Sequence, residues 1–254
     1  METNGCQVID EIYVFLGNLF LPSHTNQHEY IPRYYWISDD LPIIRILEDK
    51  TIISHGTTGL RTWEASLYLL DWLLANPNLI HDQCVLELGA GCGLLGLACA
   101  QWLNAKHVTM TDVNEHVLER LRQNMSLCHH SNTPCIEAMK LDWSDSQTWT
   151  TDYDVIIAAD VVYDPDVIPA LVNILQNILQ KLRKTAVWIA CLLRNESTLE
   201  KFVKQADNAG IHVTFSEVNG YDRKFSWWCE LESATNSCRF RLMNLSWIEK
   251  GCHQ

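Results

Sequence analysis

The sequence predicts an α/β domain built on a mostly parallel seven-strand sheet with helices on both faces, and three observations lead there. Short apolar runs rich in β-branched residues alternate with longer stretches at helical spacing. One of these runs, Val85-Leu86-Glu87-Leu88, passes directly into Gly89-Ala90-Gly91-Cys92-Gly93 and then into Leu94-Leu95-Gly96-Leu97-Ala98-Cys99-Ala100, a buried strand turning through glycines into a helix. The carboxyl ends of successive runs carry acids or aromatics, the edge at which open parallel sheets bind ligands.

The elements follow in order. Residues 1–42 hold Pro22, Pro32 and Pro42 with little periodicity and read as an N-terminal cap with one short helix over 9–20. The β-branched runs 43–47 and 51–54, separated by Glu48-Asp49-Lys50, predict a small hairpin packed on the main domain. Cap and hairpin occupy 1–54, and the main domain 55–254. A Gly/Thr-rich loop, His55-Gly56-Thr57-Thr58-Gly59-Leu60-Arg61-Thr62, leads to Trp63, Leu67, Leu70 and Leu74 at helical spacing, and Asn76-Pro77 stops that helix. After the glycine turn come a strand at 107–112, a helix at 114–127, strands at 136–141 and 154–159, a helix at 166–182, a strand at 186–193 and a helix at 196–208 closed by Gly210. Strands at 211–218 and 240–248 complete seven and pair antiparallel, because their connection is too short for a parallel crossover.

With 254 residues and 47% hydrophobic content, the chain has ample material for one core. Its formal net charge of -12 removes the basic face by which proteins displace counterions from phosphates, so nucleic acid is excluded as a partner class. A basic protein surface presenting a lysine would instead be steered toward it. The 10 cysteines contain no Cys-x-x-Cys pair and read as reduced small hydrophobes. His24 with His28, and His129-His130, lack companion ligands, so no metal site is expected. Residues 1–10 show no signal-peptide pattern and no long uncharged apolar run follows, which reads as a cytoplasmic monomer without a membrane span.

The glycine turn is where the chemistry starts. Gly91, Gly93 and Gly96 satisfy the G-x-G-x-x-G fingerprint that cradles a pyrophosphate, so a nicotinamide cofactor is one reading. Glu87 favours another: a carboxylate in the turn repels a pyrophosphate but suits S-adenosylmethionine, whose reactive end is a sulfonium beside an ammonium. Asp112 ends its strand 25 residues after Glu87 and can accept both ribose hydroxyls, or equally cap the helix that follows. Asp142-Trp143 can meet an adenine, edge and face, or Trp143 can simply fill the core. Ala159 leaves room for a cofactor. Asp160, with no nearby compensating residue at the end of an apolar run, is read as available to a substrate, with Tyr163 beside it. Asp164 and Asp166 read as helix caps.

Taken together, Trp63 in Gly59-Leu60-Arg61-Thr62-Trp63, the turn Glu87-Leu88-Gly89-Ala90-Gly91-Cys92-Gly93, Leu141-Asp142-Trp143 and Asp160-Val161-Val162-Tyr163 resemble the Rossmann-like seven-strand protein lysine methyltransferases with a D-x-x-Y signature. Within that family, the string 52–60 followed by Trp63 and Leu67-Tyr68-Leu69 is similar to the elongation factor 2 lysine methyltransferases. The resemblance implies cofactor contacts at Trp63, Gly89, Ala90, Gly91, Trp143 and Ala159, with Asp112 where the wider fold class places its ribose acid; Glu87 joins the cofactor set on its charge, and Asp160 and Tyr163 of the D-x-x-Y motif form the catalytic pair. It implies S-adenosyl-L-methionine as cofactor and elongation factor 2 as protein partner. The resemblance also implies a fuller N-terminal region than the 50 residues preceding Thr51, a departure that bears on how a target is chosen. A small-molecule methyltransferase on the same fold and a nicotinamide-dependent oxidoreductase stay as alternatives from the residues alone.

Overall fold

A computed structural model of the chain describes residues 30–51, 53–54, 56–128, 135–145, 152–216 and 240–248. The helix expected over 9–20, the four histidines named above and the link between the last two strands lie outside these. The hairpin strands β1 (Tyr30–Tyr35) and β2 (Ile44–Asp49) precede helix α1 (Glu64–Ala75). Then come β3 (Cys84–Leu88), α2 (Leu94–Gln101), β4 (His107–Asp112), α3 (Glu115–Leu127), β5 (Cys135–Lys140), β6 (Val155–Ala159), α4 (Ile168–Lys181), β7 (Ala186–Leu192), α5 (Glu196–Asn208), β8 (Ile211–Ser216) and β9 (Phe240–Trp247).

The main sheet runs β5-β4-β3-β6-β7-β9-β8, parallel except for β9, which is antiparallel to both its neighbours. The last two strands do pair antiparallel, and β9 inserts between β7 and β8. From β3 the chain steps outward to β4 and β5, then crosses back to β6 on the other side of β3. That reversal opens a crevice at the carboxyl ends of β3 and β6.

Two-sided burial explains why the central strands read as continuous apolar runs. Along β6, Val155 and Ile157 join the core beneath α1, α2 and α3, whereas Ile156 and Ala158 join the core beneath α4 and α5. On α4 the residues Ile168, Leu171, Val172, Leu175, Ile178 and Leu179 form one buried stripe at helical spacing. Helix α2 is buried through Leu94–Ala100, and it lies so close to β4 that a Cβ on Gly96 would stand 2.5 Å from Met110 Cγ.

The expected hairpin is corrected. Residues 44–49 pair with the upstream strand Tyr30–Tyr35, in register from Tyr30 opposite Asp49 to Tyr35 opposite Ile44. In the 51–54 run, Ser54 forms only an isolated bridge with Thr57. The physical reason lies in Glu48 and Asp49, whose charges suggested a turn. Both are buried inside the strand because partners satisfy them: Glu48 accepts from Arg33 Nε at 3.0 Å and from Tyr35 Oη at 3.3 Å, and Asp49 accepts from the buried Arg120 Nη1 at 3.1 Å. The fully buried Asn124 completes the junction, bonding Leu47 N and O with its amide and donating to Cys92 O at 2.9 Å. The hairpin is thereby tied to α3 and to the glycine turn.

Candidate active site

The carboxyl ends of β3, β4, β5, β6 and β7, together with the segment ahead of α1, surround one cavity of about 740 Å³. Trp63, Gly89, Ala90, Gly91, Asp112, Trp143, Ala159, Asp160 and Tyr163 all line it. The topology brings these residues, scattered over a hundred positions of sequence, to one place.

The turn after β3 is built by glycines at positive φ, with Gly89 at 66°, Gly91 at 56° and Gly93 at 88°. Gly91 also has no space for a side chain, since a Cβ there would lie 2.9 Å from the carbonyl oxygen of Gly59. The turn packs backbone against backbone on the loop that precedes Trp63. Its amides are mostly committed: Ala90 N donates to Thr111 O at 2.8 Å, Gly93 N to Ala90 O at 2.9 Å, and Gly91 N to Asp112 Oδ2 at 3.3 Å. An acid thus occupies the place where a pyrophosphate would need free amides, and the nicotinamide reading loses its anion cradle.

Asp112 carries that discrimination. Burial pushes its carboxyl up from the usual range, partly offset by amide bonds from Asn114, Gly91 and Val113. A carboxylate has about four acceptor positions, and two of these amides meet hydrogen-bond geometry, Asn114 N on Oδ1 at 3.1 Å and Gly91 N on Oδ2 at 3.3 Å, which leaves one position on each oxygen for the hydroxyls of a ribose. The capping role belongs elsewhere: the Asn114 side chain accepts from His116 N and Val117 N at the start of α3. Asp164 and Asp166 are not helix caps either. Helix α4 starts from Val167 with a proline in its first turn, and Asp164 Oδ1 instead accepts from Asp166 N at 2.9 Å in a turn ahead of it.

Glu87 does not line the cavity. It projects from β3 beneath α2, 3% exposed, where its Oε2 lies near the position that a Cβ on Gly96 would take and has no hydrogen-bond partner among the described residues. Burial, reinforced by Asp112, pushes its carboxyl up to about 8, with the Gly96 amide pulling the other way. Near neutral pH it is largely protonated, so it contributes shape and support under the turn, not a negative charge toward a ligand. A consequence for stability follows. Between the ordinary value of 4.5 and about 8 the folded chain keeps a proton that the unfolded chain releases, so rising pH favours unfolding. The contribution is intact below the unfolded value and about 3 kcal/mol of it is gone by pH 7. Glu87→Gln, neutral at all pH, is expected to remove this loss: its melting temperature should rise relative to the parent by roughly 5–10 °C between about pH 5 and pH 8. Parallel curves for the two proteins would show that Glu87 does not titrate in that window.

Trp143 and Val161 form an apolar wall against Gly89, whose Cβ position lies 3.5 Å from Trp143 Cζ2 and 3.0 Å from Val161 Cγ1. Trp63, the residue before α1, donates its indole N–H to Thr58 O at 3.0 Å, which fixes the ring in the cavity lining. Asp142 Oδ1 is held by Ser144 N at 2.9 Å and Ser144 Oγ at 2.6 Å, and these bonds keep its carboxyl below the usual range. Tyr163 is 54% exposed at the cavity mouth, with its hydroxyl pKa raised by partial burial and by the nearby acids Asp164 and Asp112.

Asp160 is placed as expected but not as free as expected. The reading of an uncompensated acid is corrected: Oδ1 accepts from Leu192 N and from Arg194 Nη1, both at 3.1 Å, and Oδ2 accepts from Arg194 Nη2 at 2.9 Å. This two-pronged pair satisfies the charge of a buried residue that sits at a left-handed φ of 57°. Arg194 reaches it from the loop after β7 and lies 5.2 Å from the centre of the Trp63 ring. Sequence reasoning missed Arg194, although the signal was the one used for the acids, a polar residue just beyond the carboxyl end of an apolar run. Among the described residues no group of three or more His, Cys, Asp or Glu is arranged to hold a metal.

The arrangement fits a cofactor with a diol, a flat ring and positive charge: Asp112 for the diol, Trp143 and Val161 for the ring, and acids outnumbering bases in the cavity wall, with Asp112, Asp142 and Asp160 against Arg61 and Arg194.

A lysine methyltransferase family model matches residues 39–209. The chain is 37% identical over 225 residues to the protein-lysine N-methyltransferase EEF2KMT of Mus musculus, covering 83% of this chain and 66% of the relative. It is 37% identical over 182 residues to the protein-lysine N-methyltransferase EFM3 of Chaetomium thermophilum, covering 68% of this chain and 54% of the relative. The chain therefore spans between about half and two thirds of the length of these two relatives. Among solved structures, the CcbJ methyltransferase of Streptomyces caelestis superposes with a TM-score of 0.56 at 13% identity, over 78% of this chain and 95% of that one, a likeness of fold.

Proposed function

The chain belongs to the lysine methyltransferase family, and from that premise we propose that it transfers a methyl group from S-adenosylmethionine to a lysine side chain of a protein, elongation factor 2 being the substrate that its sequence resemblance implies. The observation that carries this reading is the fate of the glycine-turn amides: with Gly91 N given to Asp112, the turn suits a neutral diol and a cationic tail and is unsuited to a pyrophosphate.

When bound, S-adenosylmethionine supplies an electrophilic methyl on a sulfonium. Asp112 would hold the ribose hydroxyls, Trp143 and Val161 would cover the adenine, and Trp63 lines the same cavity. Asp160 stands at the rim with Tyr163, where an entering amine would meet both. Free lysine has a pKa of about 10.4, so at neutral pH it arrives as an ammonium. A carboxylate is too weak a base to take the proton of an ammonium; its work is to hold the ammonium in place while the proton leaves to water, and then to accommodate the charge of the methylated product. The half-exposed Tyr163 offers a π-face on which a methylated ammonium gains roughly 0.5–2 kcal/mol.

Isothermal titration is expected to show binding of S-adenosylhomocysteine and none of NADH; the reverse would overturn the reading. Labelled S-adenosylmethionine, incubated with the protein and a cell lysate, is expected to label a protein band that mass spectrometry identifies as elongation factor 2 carrying methyl-lysine. Label in another protein would change the substrate, and label in a small metabolite would replace the protein-lysine reading by the small-molecule one.

A further inference from the structure

Two carboxylates flank one guanidinium at the cavity rim. Arg194 grips Asp160 with both terminal nitrogens, while its Nη2 also lies 3.9 Å from Glu64 Oε2. That oxygen of Glu64 is buried and has no hydrogen-bond partner among the described residues. An unmatched carboxylate oxygen in a buried position is costly, and Glu64 keeps it in the first turn of α1, where the helix dipole favours negative charge. Trp63 precedes Glu64 in the chain and presents its ring to the same guanidinium at 5.2 Å. Arg194 is 40% exposed at the side chain, so it has room to move, whereas Asp160 at 6% is held by the backbone of β7.

We propose that Arg194 is a positioning residue that occupies Asp160 until the substrate ammonium arrives, and is then handed to Glu64, leaving Asp160 to the amine. The proposal rests on the lysine-directed reading above. Two cations cannot both take the same carboxylate oxygens in a part-buried site without strong repulsion. A shift of about 1 Å from the present 3.9 Å separation brings Nη2 into hydrogen-bonding range of Glu64 Oε2. Of the two bonds that Arg194 gives up to Asp160, one is replaced by a bond to an oxygen that lacks any, and on the Asp160 side the amine's own N–H donors replace both. The charged groups that line the cavity are Asp160 just beyond β6, Arg194 from the loop after β7, Arg61 ahead of α1, Asp112 and Asp142, while Glu64 stands behind Arg194, outside the lining.

The test uses the full chain labelled with nitrogen-15 and n-butylammonium as the lysine mimic, with and without S-adenosylhomocysteine. The Arg194 Nε–H signal, assigned by its disappearance in Arg194→Lys, is expected to move as the amine binds. In Glu64→Gln the landing oxygen is weakened and the amine is expected to bind about ten-fold more weakly. In an Arg194→Met background the same Glu64→Gln change should cost nothing, because no guanidinium remains to be handed over. An amine that does not bind, an Arg194 signal that stays still while it binds, or an equal Glu64→Gln penalty in both backgrounds overturns the hand-off. A protein that shows the hand-off yet never binds S-adenosylhomocysteine would sink methyl transfer and keep the hand-off, so the two failures are separable.

Discussion

Asp160→Asn is expected to lower methyl transfer at least ~100-fold while S-adenosylhomocysteine binding stays within a factor of about 2. The substitution is well matched to its site. Asp160 adopts φ 57°, a left-handed conformation that asparagine tolerates at least as well as aspartate, so the substitution adds no backbone strain. The amide oxygen can still accept from Leu192 N, the bond that now runs 3.1 Å to Oδ1. What disappears is the negative charge that holds a substrate ammonium against the cofactor, together with the Oδ2 acceptor of Arg194 Nη2. Asp160→Ala is the wrong control, because it adds left-handed strain of about 1 kcal/mol and leaves Leu192 N without that acceptor. Initial rates with labelled S-adenosylmethionine, alongside titration with S-adenosylhomocysteine, measure the two quantities separately. Turnover retained within ten-fold would remove the carboxylate charge from the mechanism; loss of cofactor binding in step with turnover would recast Asp160 as a cofactor residue.

Gly91→Ala carries the second large effect. Its left-handed φ of 56° costs an alanine about 1 kcal/mol, and the new Cβ would stand 2.9 Å from the Gly59 carbonyl oxygen. That oxygen is backbone and cannot rotate away. Its loop is pinned by the bond from Asp49 N to Leu60 O at 2.8 Å and by the Cys92 thiol on Gly59 O itself. Relief must come from moving the turn or the loop, and the loop carries Trp63. The expected result is a loss of roughly 2–4 kcal/mol of stability together with at least ~10-fold weaker S-adenosylhomocysteine binding. Gly56→Ala supplies the comparison: Gly56 also sits at positive φ, 73°, but a Cβ there meets nothing within 4 Å, so only the conformational cost of about 1 kcal/mol applies. Denaturant melts of both variants, with titration of S-adenosylhomocysteine, decide the matter. Equal destabilisation of the two would mean that the Gly59 contact imposes no constraint.

Where sequence reading worked, the information was local. The bounds of strand 107–112 and helix 196–208 agree to the residue, because a short run buried on both faces between polar ends, and 3.6-residue spacing, record burial locally. The glycine turn was legible because the conformation it needs is forbidden to most residues. Where it failed, the missing information was a partner elsewhere in the chain. Glu48 and Asp49 resembled a turn until Arg33, Tyr35 and Arg120 were found against them. Glu87 was given the task of repelling a pyrophosphate, yet it lies behind the turn and largely protonated near neutral pH, and Asp112 occupies the amide instead.

The sequence by itself determined the order of strands and helices from Trp63 onward, the glycine turn and the placing of Asp112, Asp142 and Asp160 at strand ends, since these follow from backbone geometry and from burial along a single segment. Only the tertiary structure decided what each acid faces: that Arg194, 34 positions away, holds Asp160, that Glu87 is turned from the cavity, and that β9 slips between β7 and β8. Charge pairing and desolvation depend on distance through space, and separation along the chain does not encode that distance.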